Sequence, residues 1–182
     1  MSAHKTPPVI LGICGGIAAY KTPELVRLLQ AAGKDVACVL TKNAARFVTP
    51  LTLQTLSRNK VYEGMFDPFD WEIEHIALAD AAGVVVVAPA TADTIARLAA
   101  GRADDLLSSI VLTTRAPVIV CPAMNEKMWL HPATQKNVAV LKEYGCHFVG
   151  PADGELACGA AGTGRLAPLD EIVRTVLFAA HR

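Results

Sequence analysis

Short apolar runs without alternation recur along the chain, and each is followed by a segment with helical spacing of apolar positions. The clearest run is Val84-Val85-Val86-Val87, which is typical of a strand buried on both faces. The runs predict strands at Val9–Cys14, Asp35–Leu40, Gly83–Ala88, Val118–Cys121 and His147–Val149. The other segments predict helices at Ile17–Ala32, Thr49–Ser57, Thr91–Ala100, Asp104–Thr114, Pro132–Tyr144 and Pro168–Ala180. This alternation predicts an α/β fold with a doubly wound parallel sheet and helices on both faces.

Length and charge narrow the class of protein further. A chain of 182 residues is long enough to bury a core and is typical of one domain, here expected to span residues 1–182. Its 17 basic and 17 acidic residues balance, so no net field favours nucleic acid or an anionic membrane as a partner. No apolar run approaches the roughly 18 residues that a membrane span needs. We therefore expect a cytoplasmic protein without a membrane or nucleic-acid partner.

Composition bears on assembly and on metal binding. Apolar residues make up 52% of the chain and charged residues 19%, against about 25% charged in average soluble proteins. So much apolar surface predicts a homo-oligomer, with a well-filled α/β core as the alternative. The five cysteines form no C-x-x-C pair and no cluster with histidine, so no metal site is expected. Four of them lie in or beside predicted strands, and an odd number without a disulfide framework suits a reducing compartment.

The segment Pro122–Trp129 follows the predicted strand Val118–Cys121 directly. Ligands of open α/β sheets bind just beyond the carboxyl ends of the strands, so this segment belongs to the expected binding edge. The amide of Asn125, flanked by two methionines and a tryptophan, can orient a small polar group against an apolar wall. Asn125 is therefore a candidate site residue, while the methionines and Trp129 fit either a pocket wall or the core.

Two further segments follow predicted strands and carry small residues at the start of a helix. Gly15 and Gly16 follow the first strand, where free backbone N–H groups bind phosphate well and glycine permits close approach. The spacing is not G-x-G-x-x-G, so a dinucleotide fingerprint is not supported, and an ordinary tight turn fits equally well. Thr91 follows the four valines as a helix N-cap, with small neighbours that leave room for a flat ring or a phosphate. Taken alone, a simple cap is the commoner interpretation.

Two side chains have acid–base potential. His75 follows a loop rich in aromatic residues and precedes a buried strand, although a histidine beside an acid is more often a surface or capping residue. Cys158 lies in a glycine-rich segment that predicts a flexible flap at about residues 150–166. With Arg165 nearby, this thiol can act as an acid, a base or a nucleophile when the flap closes. The alternative is an exposed thiol in a disordered loop.

Taken in order, these motifs resemble the homo-oligomeric flavin-containing cysteine decarboxylases, over nearly the whole chain. Gly15–Lys21 is similar to the family's flavin-phosphate loop, and Pro89–Asp93 is similar to its second flavin-binding motif. Pro122–Asn125 is similar to its substrate motif. The family's substrate clamp is matched by Ala157-Cys158-Gly159 with Gly164-Arg165. One departure is Cys14, because many relatives carry serine before the paired glycines.

The resemblance implies a Rossmann-like (flavodoxin-like) fold, FMN as the cofactor, and trimers that assemble into a dodecamer. It implies His75 as the base of an oxidative step, Asn125 as the ligand of the substrate carboxylate, and Cys158 as a proton donor. The implied flavin contacts are Gly15, Gly16, Ile17, Ala18, Thr41, Pro89, Ala90, Thr91, Ala92 and Asp93. The implied substrate contacts, besides Asn125 and Cys158, are Phe47, Ala123, Met124, Ala157 and Arg165.

The implied reaction is decarboxylation of (R)-4′-phosphopantothenoylcysteine to 4′-phosphopantetheine in coenzyme A biosynthesis. No side chain is an adequate electron sink for a cysteinyl carbanion, so a cofactor must supply one. In the family, the flavin oxidises the cysteinyl unit to a thioaldehyde, loss of CO₂ leaves an enethiolate, and the reduced flavin returns the electrons. A neutral amide suits Asn125 because a cation would stabilise the carboxylate that must leave.

Three alternatives share parts of this pattern. A decarboxylase of peptides that end in cysteine shares the fold, the flavin, the histidine and the cysteine, and differs mainly in the flap and in the pocket for the remote part of the substrate. A flavin prenyltransferase shares the fold, but the Met-Asn motif and the flap cysteine argue against it. An FMN-binding regulatory subunit that masks a phosphatase usually carries long charged tails, which are nearly absent from this sequence.

Overall fold

The computed structural model describes residues 7–65, 74–155, 159 and 161–180. Its strands are β1 Val9–Ile13, β2 Val36–Leu40, β3 Val61–Tyr62, β4 Val84–Ala90, β5 Val118–Pro122, β6 His147–Phe148, β7 Ala152–Glu155 and β8 Ala161–Arg165. Its α-helices are α1 Thr22–Ala31, α2 Pro50–Ser57, α3 Glu74–Ala81, α4 Ala92–Ala99, α5 Leu106–Thr113, α6 Glu126–Trp129, α7 Pro132–Glu143 and α8 Leu169–Ala179. Two short 3₁₀ helices cover Ile17–Lys21 and Ala44–Arg46.

Six parallel strands form one sheet in the order β3-β2-β1-β4-β5-β6. The central strand β1 pairs with β2 on one side and with β4 on the other. The chain builds outward from β1 to β3 and then crosses to the other side of β1, so the strand order reverses between β1 and β4. This is the order of a doubly wound Rossmann sheet, and it confirms the predicted fold class.

The sheet separates two hydrophobic cores, because successive side chains of a strand point to opposite faces. Leu11 and Ile13 belong to the core that packs against α1, α2 and α8. Ile10 belongs to the other core, beneath α3, α4, α5 and α7. All three side chains are fully buried, and each such burial stabilises the fold by about 1.5–3 kcal/mol. Gly12 allows a close approach of α5, since a Cβ at this position would overlap the side chain of Leu107.

The predicted helix Ile17–Ala32 is divided in the structure. A 3₁₀ helix ends at Lys21 and α1 begins at Thr22, whose hydroxyl donates to the carbonyl of Ala19 over 2.8 Å. Pro23 follows in the first turn of α1. Proline has no backbone N–H and is tolerated in the first turn of a helix but not in its interior, which explains why one continuous helix does not form.

Several short elements were not predicted, namely β3, α3, α6, the 3₁₀ helix Ala44–Arg46 and the hairpin strands β7 and β8. β3 has only two residues, and α3 shows little of the spacing of an amphipathic helix. The predicted flap contains an antiparallel hairpin, in which β7 pairs with β8. Its glycines gave no strand signal, because that signal comes mainly from β-branched and aromatic residues. The aromatic loop residues Phe66, Phe69 and Trp71 lie outside the described residues.

Within the described ranges, none of the helices combines the length and the apolar character that crossing a bilayer requires. The same residues include no group of three or more histidine, cysteine, aspartate or glutamate side chains that could hold a metal ion.

Candidate active site

The candidate flavin loops lie next to each other at the carboxyl edge of the sheet. Doubly wound sheets bind ligands in the crevice where the strand order reverses, which here lies between β1 and β4. The N–H of Cys14, just after β1, donates to the carbonyl of Pro89 in β4 over 3.3 Å. A Cβ built on Gly16 would lie 3.6 Å from the methyl carbon of Thr91. The two predicted flavin segments therefore form the two sides of one crevice.

The paired glycines meet different surroundings. A Cβ on Gly15 would overlap Asn43, which follows β2, so the packing of the chain itself requires glycine there. Gly16 has an extended backbone, with φ −147° and ψ 160°, which any residue adopts. Its nearest neighbour, Thr91, is at ordinary contact distance. Nothing among the described protein atoms demands a glycine at Gly16, as expected where the backbone is left accessible to a ligand.

The crevice wall on the β4 side is built by α4 and its cap. The Thr91 hydroxyl accepts a hydrogen bond from the N–H of Thr94 over 3.3 Å and caps α4, as predicted. Asp93, in the first turn, forms an ion pair with Arg97 over 3.1 Å. This pair partly offsets the negative charge that Asp93 brings to the helix start.

Cys14 belongs to the core and does not face the crevice. Its side chain is 1% exposed, and burial raises the pKa of the thiol to about 11, against the opposing effect of a hydrogen bond from Thr94. Burial likewise raises the pKa of Cys38 to about 12, and it raises the pKa of Cys121 and of Cys146. These four thiols stay protonated near neutral pH and have the character of inert, structural cysteines.

The ends of β2 and β5 extend the same edge. The N–H of Thr41 donates to the carbonyl of Ile13 over 3.0 Å, which holds Thr41 beside the end of β1. Phe47 follows the second 3₁₀ helix, and its side chain is 45% exposed. On the other side, the N–H of Ala123 donates to the carbonyl of Ala90 over 3.0 Å. The segment that carries Asn125 thus leaves the sheet directly beside the β4 side of the crevice.

Asn125 caps the short helix α6. Its Oδ1 accepts a hydrogen bond from the N–H of Lys127 over 2.9 Å, which fixes the side chain, and the residue itself is exposed. Met124 and Trp129 are partly buried and pack against the core beneath α7, whereas Met128 is 48% exposed. Trp129, for which the sequence left a pocket wall and the core open, therefore packs against the edge of the core.

The hairpin of β7 and β8 places Arg165 at this edge of the sheet, where Lys21 is the other cation. The pKa of the Lys21 ammonium is lowered, first by burial and then by the positive charge of Arg165 on β8, while Glu24 opposes the shift. Two cations that disfavour each other in this way would both be stabilised by an anion between them. One of them follows the glycine turn, and the other belongs to the predicted substrate clamp.

His75 lies in the first turn of α3 and is partly buried. A short turn connects the end of α3 to the start of β4. The first turn of α3 is therefore the part of the helix nearest the carboxyl edge of the sheet. The neighbouring Glu74 is buried in an ion pair with Lys60 at 2.8 Å. Across the described ranges no hydrogen bond joins His75 to Asn125 or to the glycine turn. Ala157 and Cys158 lie outside these ranges, so the roles of His75 and Cys158 stay predictions.

A cavity of about 570 Å³ lies at the opposite edge of the sheet. It is lined by residues near the starts of β5 and β6, among them Arg115, Tyr144 and His147. None of the predicted site residues within the described ranges lines it. The candidate site at the carboxyl edge therefore rests on the chemistry of its residues and not on the size of a cavity.

Two residues at this edge were not predicted as site residues. Lys21 is the last residue of the segment Gly15–Lys21, which is similar to the flavin-phosphate loop. Its positive charge, shortly after Gly16, could have indicated a phosphate contact. Glu126 contacts the hairpin through the N–H of Thr163, 37 residues away in the chain. No local pattern in the sequence reports such a contact.

A family model described as Flavoprotein matches residues 2–181. The chain belongs to the Flavoprotein family. It is 49% identical over 165 residues to the coenzyme A biosynthesis bifunctional protein CoaBC of Haemophilus influenzae, a match that covers 90% of this chain and 41% of that protein. The chain thus spans about two-fifths of the length of the curated relatives that it matches.

Two solved structures of the same fold resemble this member of the Flavoprotein family. One is a cysteine-to-serine variant of a PPC decarboxylase in complex with pantothenoylaminoethenethiol, with a TM-score of 0.85, 30% identity, and coverage of 97% of this chain and 100% of that chain. The other is the FMN-dependent cysteine decarboxylase SpaF, with a TM-score of 0.85, 28% identity, and coverage of 99% and 100%. These matches confirm the family resemblance found in the sequence.

Proposed function

We propose that the chain is an FMN-dependent decarboxylase that converts (R)-4′-phosphopantothenoylcysteine to 4′-phosphopantetheine and CO₂ in coenzyme A biosynthesis. The observation that carries this proposal is the meeting of four segments at one edge: the glycine turn, the Thr91 helix start, the Asn125 segment and the β7–β8 hairpin. The similarity to CoaBC and to a PPC decarboxylase supports the same substrate.

The residues of the crevice fit FMN. Gly16 leaves room for the backbone to approach a phosphate, and small side chains around Thr91 leave room for a ring. Lys21 follows the glycine turn as a cation near the predicted phosphate position. When bound, FMN supplies the two-electron acceptor and donor that no side chain provides.

The chain's own residues bind the substrate and move its protons. Asn125 binds the substrate carboxylate through its neutral amide, and it is oriented for this by its bond to the N–H of Lys127. Arg165, at the end of β8, presents positive charge to the anionic part of the substrate. His75 accepts the proton of the substrate thiol, and Cys158 returns a proton to the carbon that has lost CO₂. A cation beside the carboxylate would slow the reaction, because it would stabilise the carboxylate that must leave as CO₂.

The decisive experiment uses the FMN-loaded protein with phosphopantothenoylcysteine, and measures CO₂ and the saturated thiol product. A peptide that ends in cysteine is the comparison substrate. We expect turnover of the phosphorylated substrate and little of the peptide. Preferential turnover of the peptide would favour the alternative represented by peptidyl cysteine decarboxylases. Stable FMN binding without any CO₂ release from either would refute the proposal.

We also infer a homo-oligomer, with trimers that assemble into a dodecamer as the resemblance implies. Ile17, Tyr20, Phe47 and Leu51 are 56, 62, 45 and 72% exposed. All four follow β1 or β2 near the carboxyl edge. Exposed apolar groups that follow two adjacent strands support burial against another copy of the chain near the site.

Gly16→Ala is expected to weaken FMN binding about tenfold without destabilising the FMN-free protein. The added Cβ meets only an ordinary contact with Thr91, so the fold accepts it, but it occupies the space through which a phosphate approaches the backbone. Gly15→Ala is the comparison, and its clash with Asn43 should cost about 1–3 kcal/mol of stability. Fluorescence titration with FMN and thermal melts of the FMN-free proteins separate the two effects. Unchanged FMN affinity in Gly16→Ala would place the phosphate elsewhere.

A further inference from the structure

Strand β8 of the hairpin lies directly along the segment that carries Asn125. The N–H of Met124 donates to the carbonyl of Gly164 over 2.9 Å. The N–H of Thr163 donates to Oε1 of Glu126 over 3.2 Å. Met124 and Glu126 are the two chain neighbours of Asn125, so the hairpin is attached on both sides of the predicted carboxylate ligand.

The glycines on either side of Thr163 make this approach possible. A Cβ on Gly162 would overlap the carboxylate of Glu126, and a Cβ on Gly164 would overlap the carbonyl oxygen of Met124. Close packing of β8 on the backbone of the Asn125 segment therefore requires Gly164, whereas the atoms near Gly162 are the end of the flexible Glu126 side chain. The glycine-rich composition that predicted a flexible flap serves here to fix the position of a strand.

Thr163 also links the two strands of the hairpin. Its hydroxyl is hydrogen-bonded to Oδ1 of Asp153 on β7. A continuous series of hydrogen bonds thus runs from Asp153 through Thr163 to Glu126. The bond to Glu126 has a carboxylate acceptor, and such charge-assisted bonds are about twice as strong as neutral ones. It is a side-chain bond that joins β8 to the Asn125 segment.

We propose that Glu126 is a positioning residue of this active site, which holds the hairpin in a fixed register against Asn125. The substrate groups bound by Asn125 and by Arg165, at the end of β8, then lie at a constant separation. This inference rests on the proposed function for the identity of the substrate. The attachment of the hairpin itself does not depend on it.

The first test measures amide hydrogen exchange of Thr163 in the FMN-loaded protein. We expect exchange about tenfold faster in Glu126→Ala than in the wild type, since the N–H loses its acceptor. Glu126→Gln should stay within about threefold of the wild type, because its amide oxygen can still accept the bond. Glu143→Ala, an exposed acid at the end of α7, is the control and should change nothing. Unchanged exchange in Glu126→Ala would overturn the proposal.

The second test measures steady-state turnover of phosphopantothenoylcysteine. We expect KM to rise about tenfold in Glu126→Ala, with FMN affinity and melting temperature close to those of the wild type, and Glu126→Gln to restore most of the loss. An unchanged KM in Glu126→Ala, or an equal loss in both variants, would overturn the positioning role. If the wild type itself fails to turn over the substrate, the proposed function is wrong, and the exchange rates of Thr163 alone decide whether Glu126 holds the hairpin.

Discussion

Asn125→Asp is expected to abolish turnover of phosphopantothenoylcysteine while FMN stays bound. The substitution places a negative charge beside the substrate carboxylate. At a separation of about 4 Å and an effective dielectric constant of about 20, the repulsion is about 4 kcal/mol, which corresponds to a loss of roughly a thousandfold in kcat/KM. CO₂ release and the absorbance of the bound flavin measure the two parts of this expectation.

The Asn125→Asp substitution adds a charge while preserving the local structure around residue 125. Asn125 is the N-cap of α6, and aspartate caps a helix about as well as asparagine, so the bond from the N–H of Lys127 is retained. Asn125→Ser is the matched control, because serine also caps but adds no charge. Activity should fall in the order Asn, Ser, Asp, with similar melting temperatures. An Asp variant as active as the Ser variant would contradict the carboxylate role.

Cys158→Ser is expected to release CO₂ but to accumulate the unsaturated enethiol in place of 4′-phosphopantetheine. A serine hydroxyl is a much weaker acid than a thiol, so the proton that completes the reduction is not delivered. Mass spectrometry identifies the enethiol, which has two hydrogens fewer than 4′-phosphopantetheine.

Cys146→Ser provides the control for this experiment. Cys146 is partly buried and lines the cavity at the opposite edge of the sheet, away from the candidate site. Its replacement should leave the product unchanged. Full conversion to the saturated thiol in Cys158→Ser would remove Cys158 from the mechanism.

The sheet could be predicted where burial leaves a direct trace in the sequence. Val84 to Val87 is apolar without alternation because both faces of β4 are covered, and the same holds for β1. The strand order could not be predicted, because the pairing of β1 with β4 depends on which helices cover which face. β3 was missed because two residues are too few to show a period.

Some residues of the candidate site could likewise be predicted from the sequence, and others could not. Asn125 and the glycine turn could be located because they follow strands directly, and parallel strands bring their carboxyl ends to one edge. The separate roles of Gly15 and Gly16 could not, because the clash at Gly15 involves Asn43 from another strand. Gly162 suggested flexibility because its partner, the carboxylate of Glu126, is distant in the chain.

Binding of FMN in the proposed crevice would couple the cofactor to the folding of the chain. β1 to β3 come from the first 62 residues, and β4 to β6 come from residues 84–148, so the boundary between β1 and β4 is also the boundary between the two halves of the sheet. A ligand bound across that boundary contacts both halves and is lost when they separate. At a concentration a hundredfold above its Kd, it would add about 2.7 kcal/mol to the free energy of unfolding. Supply of flavin would then influence how much folded protein a cell retains, as well as how much of it is active.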